Sequence, residues 1–411
     1  MPGTLPPGEP VPADGSLPAS AVAGLAGRPF GIYIHVPFCR SRCGYCDFNT
    51  YTAAELGAGA SRDSYPGLAA AEIRLAAQVV GGTAPPVSTV FFGGGTPTLL
   101  PPPRLGELLR VIDAEFGLAP GAEVTAEANP ETVDERSLTA LREAGINRLS
   151  LGMQSAVPRV LAVLDREHQP GRPAQCARWA RQAGFEHVSL DLIYGTPGES
   201  DADWKESLEA ALAAEPDHIS AYALIVEDGT RLAARIRRGD LPAPDDEAMA
   251  DRYTAADEML TAQGLNWYEV SNWAAGPGAA CRHNLLYWTG GNWWGVGPGA
   301  HSHVGGTRWW NVKHPAAYAA RLRPPAGGAA ASPALAREVL TPAERRLEEI
   351  MLLTRLASGC PAHLLGPAGQ AAAAAAVADG LARPAEHSAG RVVLTLRGRL
   401  LADAVIRGLT D

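Results

Sequence analysis

Short apolar runs alternate with amphipathic segments along the chain from Gly31 to about residue 245. Each run has the continuous apolar composition of a strand that is buried on both faces. Glycines and prolines lie at the joints, as they do where one element ends and the next begins. The pattern predicts six strands, at Gly31–Val36, Ser88–Phe92, Glu123–Glu127, Arg148–Gly152, His187–Tyr194 and His218–Ile225.

The segments between these strands repeat apolar residues every three or four positions, which is the pattern of an amphipathic helix. The predicted helices are Tyr65–Val80, Arg104–Phe116, Glu135–Ala144, Val157–Leu164, Ala174–Ala183 and Asp203–Ala214. Alternating strands and helices predict an α/β fold with a parallel sheet covered by helices. Six units are too few for a closed eight-stranded barrel, so we predict a partial (β/α)6 barrel of the TIM type. An open doubly wound sheet is the alternative.

The pattern changes beyond Asp245. A helix is predicted at Ala248–Gln263, and seven of the nine tryptophans fall between Trp267 and Trp310. The tail predicts a small C-terminal α+β domain that resembles a winged-helix module. Its predicted elements are helices at Ala343–Leu356, Ala371–Leu381 and Leu400–Leu409 and an alternating segment at Arg391–Leu396.

These patterns divide the chain into five predicted parts. They are an extension (1–28), the α/β core (29–245), a tryptophan-rich extension (246–323), a linker (324–340) and the small C-terminal domain (341–411). The first part is rich in proline, glycine and alanine, so we expect it to be disordered. The linker has a similar composition around Pro324–Pro333, which is typical of a connecting segment.

The net charge and the cysteine content limit the classes of binding partner and the cellular compartment that we expect. A net charge of −9 argues against a surface for nucleic acid or for an anionic membrane. Residues 1–27 contain no lysine or arginine, so the basic start of a signal peptide is missing, and no apolar stretch is long enough for stable membrane insertion. Six cysteines, three of them clustered, fit a reducing compartment. We therefore expect a cytoplasmic protein.

The clustered cysteines are the strongest chemical signal. Cys39, Cys43 and Cys46 follow the first predicted strand at a C-x3-C-x2-C spacing. Three thiolates at this spacing can hold three irons of a [4Fe–4S] cluster and leave the fourth iron open to a small molecule. A structural zinc site is the alternative, and it needs a fourth ligand from elsewhere. Candidates for that ligand are His35, His283, His301 and Cys281.

Polar residues end several of the predicted strands. Glu127 and Asp191 lie at such ends, and Gln154 follows shortly after another. A carboxylate in a buried parallel strand is costly unless it is used or paired, and α/β folds place their sites at this end of the sheet. The alternative is that these residues cap the following helices. The glycine run Gly93–Gly95 lies at the same edge and would let backbone amides approach a ligand.

The cysteine loop, the Gly93-Gly94-Gly95-Thr96-Pro97 segment and the order of the edge residues resemble the radical S-adenosylmethionine (SAM) superfamily over residues 29–405. Within it, the chain is similar to the HemN/HemW group of oxygen-independent coproporphyrinogen III dehydrogenases and heme chaperones. The resemblance implies a [4Fe–4S] cluster on the three cysteines, exchangeable SAM and an electron donor such as a flavodoxin or ferredoxin. It implies SAM contacts at Tyr33, Tyr45, Gly94, Gly95, Thr96, Glu127, Gln154, Arg166, Asp191 and Ala223.

Two details favour the heme chaperones within this group. Phe48 stands where the dehydrogenases have a further cysteine, and the segment from His283 to Trp288 has the H-N-x-x-Y-W motif of the chaperones. The resemblance therefore implies heme binding at His283, Asn284, Tyr287 and Trp288. Imidazole is a common heme ligand, although aromatic clusters are more often core packing. Cys281, His301 and His303 are rival axial ligands.

The prediction is a heme chaperone that binds heme and delivers it to an unidentified acceptor protein. The runner-up is an enzyme, the oxygen-independent coproporphyrinogen III dehydrogenase, which forms protoporphyrinogen IX by radical decarboxylation. Whether the chain is an enzyme therefore stays open at this point, and no residue is assigned a catalytic role. Radical chemistry on another substrate and a structural zinc protein are the remaining alternatives.

Overall fold

The computed structural model describes residues 8–57, 59–323 and 331–410. Its strands are β1 Glu9–Pro10, β2 Phe30–Val36, β3 Val87–Gly94, β4 Leu118–Ala128, β5 Arg148–Gln154, β6 His187–Tyr194, β7 His218–Ala223, β8 Asn266–Glu269, β9 Asn272–Ala274, β10 Asn292–Val296, β11 His301–Val304, β12 Thr307–Asn311, β13 Ala334–Val339, β14 Cys360–Pro361 and β15 Arg391–Val392.

The α-helices are α1 Ala19–Ala23, α2 Tyr65–Val80, α3 Pro102–Phe116, α4 Glu135–Glu143, α5 Pro158–Val163, α6 Arg172–Gln182, α7 Asp201–Leu212, α8 Arg231–Arg237, α9 Asp246–Ala262, α10 Arg282–Trp288, α11 Pro315–Leu322, α12 Pro342–Leu353, α13 Pro367–Ala378, α14 Pro384–Ser388, α15 Leu396–Leu400 and α16 Ala402–Thr410. Short 3₁₀ helices lie at Ala53–Glu55, Pro97–Leu99, Pro130–Thr132 and Ala362–Leu364. Among the described residues, no helix is both long and apolar enough to cross a membrane.

Strands β2 to β7 are parallel and neighbour one another in chain order. This arrangement confirms the predicted partial (β/α)6 barrel. A doubly wound sheet reverses its strand order at a switch point, and β2 to β7 have no such reversal. Strand β10 extends the sheet beside β2, followed by antiparallel β11, β12, β13 and β1, while β9 and β8 extend it beyond β7.

The alternation of side chains along a strand separates the core from the inside of the barrel. On β2, Ile32 and Ile34 are fully buried with the apolar faces of the helices. Tyr33, between them, lines the internal cavity. The same division holds on β4, where Ala126 is in the core and Glu127 faces the cavity. The strands therefore carry polar groups to the inside while helices cover the outside.

The expectation of a disordered extension is wrong for residues 8–28, and residues 1–7 lie outside the described part. Glu9 pairs with Arg337 in an antiparallel ladder and also forms an ion pair with its side chain. Ala21 and Leu25 are fully buried in the main core. A proline-rich composition does not exclude an edge strand, and the partner of this strand is more than 300 residues away in the chain.

The predicted linker is corrected in part. Residues 334–339 form β13, which pairs with both β12 and β1, whereas residues 324–330 lie outside the described part. The tail has its own small core of α12, α13, α16 and the paired β14 and β15. It contacts α9 through Arg399, which forms an ion pair with Asp257. The likeness to a winged-helix module and the domain boundaries stay predictions.

A buried carboxyl, Glu72 of α2, joins the barrel to the strands beyond it. It accepts hydrogen bonds from the Gly297 amide (2.8 Å), the Asn311 side chain (2.7 Å) and the Tyr318 hydroxyl (2.5 Å). Burial raises its pKa from 4.5 to about 7, although these hydrogen bonds oppose the shift.

We expect Glu72→Gln to flatten the pH dependence of stability. The folded protein binds the Glu72 proton more tightly than the unfolded chain, so the stability from this group is present at low pH and is lost as pH rises towards 7. The loss is up to about 1.4 kcal/mol per pH unit. Urea unfolding at several pH values measures it in wild type, in Glu72→Gln and in Glu107→Gln, which changes an exposed ion pair. Identical pH profiles for wild type and Glu72→Gln would contradict this assignment.

Candidate functional site

A cavity of about 630 Å³ lies inside the barrel, beneath the cysteine loop. Its upper wall is formed by the C-terminal ends of the parallel strands, where such folds place their sites. The three cysteines and all ten residues implied as SAM contacts line it. They are Cys39, Cys43, Cys46, Tyr33, Tyr45, Gly94, Gly95, Thr96, Glu127, Gln154, Arg166, Asp191 and Ala223. Residues that are up to 190 positions apart in the chain therefore face one space.

The cysteine loop presents its three thiols, each half-buried, to this cavity. Burial raises the pKa of the Cys39 thiol, and it raises that of Cys46 to about 11. A guanidinium nitrogen of Arg166 lies 3.6 Å from the sulfur of Cys43. Free thiols so placed fit the ligands of an iron–sulfur cluster.

The positions of the potential metal ligands do not favour a structural zinc site. Within residues 8–57, 59–323 and 331–410, no three side chains of histidine, cysteine, aspartate or glutamate form a group that could hold a metal ion. A [4Fe–4S] cluster offers each thiolate its own iron, so three cysteines can fit a cluster without converging on one ion. The Nε of Arg166 is buried and has no hydrogen-bond partner among the described residues, which leaves a donor for an anionic ligand group.

The glycine segment brings the end of β3 against the cysteine loop. The Gly95 amide donates to the Val36 carbonyl (2.8 Å), and the Thr96 amide donates to the Phe38 carbonyl (2.7 Å). A β-carbon on Gly95 would lie 2.5 Å from the Phe38 oxygen, and one on Gly94 would lie 2.5 Å from the His35 ring. Gly94 also has a φ of +105°, which side chains disfavour. The glycines are therefore required for this close approach.

We expect Gly95→Ala to displace the cysteine loop, because the clash is with backbone atoms that cannot rotate away. The expected cost is about 1–3 kcal/mol of stability, together with a lower iron content after anaerobic reconstitution. Gly171→Ala is the control, since nothing lies within 4 Å of its β-carbon. Denaturant unfolding and iron analysis measure both variants. Equal behaviour of the two would refute the role given to Gly95.

Two carboxyl groups, Glu127 and Asp191, line the cavity. Burial, with the neighbouring charge of Asp191, raises the pKa of Glu127 to about 8, although the Gly94 amide donates to it at 3.1 Å. Asp191 accepts from the hydroxyls of Ser150 and Ser220, both at 2.8 Å, and burial raises its pKa. Such groups suit an ammonium group and a sugar diol.

Gln154 and Arg166 complete this wall. Gln154 has a φ of +63°, a costly conformation that the surrounding structure must hold in place. Arg166 donates to the Asn129 side chain and the Gly152 carbonyl, both at 2.9 Å. These hydrogen bonds fix the guanidinium beside Cys43, where it can face an anionic group.

The H-N-x-x-Y-W motif lies on the short helix α10, which packs against β2 and β3. Both ring nitrogens of His283 are hydrogen-bonded, one to the Thr89 hydroxyl and one to the Tyr287 hydroxyl, each at 2.8 Å. The His283 ring stacks on Phe91 at 5.2 Å between centroids and has no exposed surface. Burial lowers its pKa to about 3. The ring is therefore neutral and fully engaged in this structure.

Other polar groups hold the motif in place, and sequence reasoning missed them. Glu123 accepts from the amides of Arg282 and His283 at 3.1 and 3.0 Å and lies 4.0 Å from Arg148. Burial raises the pKa of Glu269 to about 7, and the neighbouring side chains of Asn284 and Trp288 oppose this rise. A signal was present in the sequence, because Glu123 and Arg148 are charged residues at the starts of two predicted strands. His283, Asn284 and Tyr287 still reach the cavity lining, whereas Trp288 is absent from it among the described residues.

A second groove of about 760 Å³ adjoins the cavity and shares Tyr33, Gly94, Glu127 and Tyr287 with it. His301 and His303 line this groove, and Phe48 borders both spaces. The third rival ligand, Cys281, is buried in the cavity wall instead. Burial, with the nearby charge of Glu123, raises the pKa of its thiol to about 12.

The barrel, the cysteine loop and the glycine segment define a class of protein. Residues 33–211 match the family model described as the radical SAM superfamily. The solved structure of coproporphyrinogen III oxidase (HemN) from Escherichia coli superposes with a TM-score of 0.78 at 23% identity, covering 95% of this chain and 92% of that one. This likeness shows the fold. The chain is a radical SAM protein, a superfamily whose members carry a [4Fe–4S] cluster and SAM.

Curated relatives identify the family within that class. The heme chaperone HemW of Mycobacterium tuberculosis (strain ATCC 25618 / H37Rv) is 54% identical over 388 residues, which is 94% of this chain and 96% of the relative. HemW of Bacillus subtilis (strain 168) is 37% identical over 68% of this chain and 72% of its own length. HemW of Escherichia coli (strain K12) is 37% identical over 67% and 70%. The chain belongs to the HemW family.

Proposed function

We propose that this protein binds heme and delivers it to an acceptor protein, while carrying a [4Fe–4S] cluster on Cys39, Cys43 and Cys46 with SAM as a second cofactor. The observation that carries the proposal is the 54% identity, over almost the whole chain, to a protein named heme chaperone. Phe48 supports it, because this position lacks the further cysteine of the dehydrogenases. We propose the cytosol as its location, an acceptor yet to be identified, and a flavodoxin or ferredoxin as electron donor.

The cavity lining supports the cofactor part of the proposal. Cys39, Cys43 and Cys46 would hold the cluster, which would supply the electron for reductive cleavage of SAM bound beside it. The chain supplies the contacts. The carboxyl groups of Glu127 and Asp191 suit the ammonium and the ribose hydroxyls, and the guanidinium of Arg166 suits the carboxylate. Gly94, Gly95 and Thr96 let the backbone approach the ligand closely.

The remaining implied contacts complete the proposed SAM site. Tyr33 and Tyr45 offer flat apolar faces with a hydroxyl, Gln154 offers an amide, and Ala223 leaves space beside the end of β7. In this proposal the protein need not turn SAM over in order to carry heme. Cofactor binding and heme binding are therefore separate measurements.

Exposed apolar residues at the mouth of the cavity support heme as the cargo. Phe48 is 60% exposed and Ile225 is 69% exposed, and both line the cavity. Large apolar side chains in such positions commonly mark a binding surface. A flat macrocycle could pack against these side chains, and an acceptor protein could contact them when heme leaves.

Hemin titration of the full chain, purified anaerobically, tests heme binding. We expect a saturable shift of the Soret band. A chaperone must also release its cargo, so the loaded protein should lose hemin to an excess of apomyoglobin. Absence of a Soret shift would overturn the binding proposal. Retention of hemin against that excess would overturn delivery while leaving binding intact.

A further inference from the structure

Four side chains are rivals for the axial position on heme iron, and the structure distinguishes them. His283 uses both ring nitrogens and is enclosed by Phe91, Thr89 and Tyr287. Ligation would require breaking one of these buried hydrogen bonds. A buried polar group left without its partner costs about 1–3 kcal/mol, and the His283 ring has no solvent-exposed surface. His283 therefore acts as a packing residue of α10.

The side chains of Cys281 and His303 also have buried partners. Cys281 is buried and its sulfur lies 3.6 Å from a carboxylate oxygen of Glu123, so a thiolate there would be unfavourable. The two ring nitrogens of His303 bond the Gly291 carbonyl at 2.8 Å and the Gly306 amide at 3.2 Å. Neither side chain can bind iron without losing a buried contact.

His301 differs from the other three. It is the first residue of β11 and its side chain is exposed. Its ring stacks loosely on Trp310, at 6.0 Å between centroids, and within the described ranges no hydrogen bond to its ring nitrogens is present. Partial desolvation within the groove, with the nearby charges of Lys313 and Arg308, lowers its pKa. A neutral imidazole with a free nitrogen is the form that binds iron.

The groove around His301 has the size and the walls that a porphyrin needs. Its volume of about 760 Å³ is in the range of small-molecule sites. Trp293 forms one wall, where its ring contacts Tyr287 at 4.5 Å, and Phe48 lies at the border with the cluster cavity. Aromatic faces of this kind stack on a flat apolar macrocycle.

Two cations lie in the same groove. Lys313 and Arg308 line it, and Arg308 is already paired with Glu338 and Glu348. Among the described residues, the Lys313 ammonium has no ion-pair partner. Heme carries two propionates, so an unpaired ammonium beside an apolar wall matches one edge of the molecule.

We infer that heme occupies this second groove, with His301 as the axial ligand to iron, Trp293 and Phe48 against the ring, and Lys313 at a propionate. The inference rests on the proposed heme-binding function and names its site. It also separates two roles: the H-N-x-x-Y-W motif holds α10 in place, and the adjoining β10–β12 strands hold the cargo. Because the groove shares Tyr33 and Tyr287 with the cluster cavity, heme would lie beside the cofactor site.

Hemin titration of His301→Ala tests the inference, with His363→Ala, an exposed histidine of the C-terminal domain, as the matched control. We expect His301→Ala to weaken binding by about tenfold or more and to move the Soret band and the ferric electron paramagnetic resonance signal. Added imidazole should restore the wild-type spectrum, which a merely structural effect would not allow. Lys313→Gln should weaken binding without moving the Soret band.

The outcomes distinguish a wrongly assigned heme site from a protein that does not bind heme at all. Wild-type spectra and affinity in His301→Ala would overturn the inference. The inference would also be overturned if His301→Ala had no effect and a His283→Asn variant, shown by circular dichroism to be folded, lost the wild-type spectrum. Failure of the wild-type chain to bind hemin would instead overturn the proposed function, and the inference with it.

Discussion

Cys43→Ser is expected to abolish the broad absorption near 400 nm (roughly) that an iron–sulfur centre gives and to lower the iron content of the protein. Cys43 is the middle one of the three proposed cluster ligands, and its sulfur lies beside the guanidinium of Arg166. A serine hydroxyl is a far poorer ligand for iron than a thiolate. With two thiolates left, the loop cannot hold three irons.

The control for this variant is Cys360→Ala, which changes a buried cysteine in the core of the C-terminal domain. Its iron and labile sulfide after anaerobic reconstitution should equal those of the wild type. Full iron content in Cys43→Ser would exclude the loop as the cluster site. Hemin binding measured on Cys43→Ser also tests whether the cargo site is independent of the cluster.

Glu123→Gln is expected to destabilise the fold by about 3–5 kcal/mol, because it breaks a buried ion pair. Glu123 and Arg148 are both nearly inaccessible to solvent, and one guanidinium nitrogen of Arg148 already has no hydrogen-bond partner among the described residues. The neutral amide would leave the Arg148 charge without its ion-pair partner. It would also weaken the acceptor for the Arg282 and His283 amides at the start of α10.

Urea unfolding compares Glu123→Gln with Glu107→Gln, whose partner Arg104 is exposed. An exposed pair contributes about 1 kcal/mol or less, so the two variants should differ clearly. Equal midpoints would show that the Glu123 carboxylate does not anchor the motif helix. Fluorescence of the tryptophans near α10 would report the local change.

The six parallel strands of the partial barrel could be predicted from the sequence because strands buried on both faces are continuous apolar runs. The same logic placed the candidate site, since the C-terminal ends of parallel strands meet at one edge. Strand β3 continues to Gly94, beyond the predicted end at Phe92. A glycine run is typical of a turn, but here the neighbouring β2 holds it in the sheet.

The parts that could not be predicted depend on partners far along the chain. Strand β1 has only two residues, and only its pairing with β13 makes it a strand. The short strands β8 to β12 contain aromatic and polar residues whose pairing no local period shows. The hydrogen bonds of His283 to Thr89 and of α10 to Glu123 are likewise tertiary. The motif could be recognised in the sequence, whereas the hydrogen bonds that occupy both ring nitrogens of its histidine could not be predicted.

The most direct test of the central claim is a parallel assay on one cluster-loaded preparation. Hemin binding is followed by the Soret band, and reduced protein with SAM and coproporphyrinogen III is analysed for protoporphyrinogen IX. The account predicts saturable hemin binding and no vinyl product. Formation of protoporphyrinogen IX by a preparation that gives no Soret shift would contradict it and would identify the chain as a dehydrogenase.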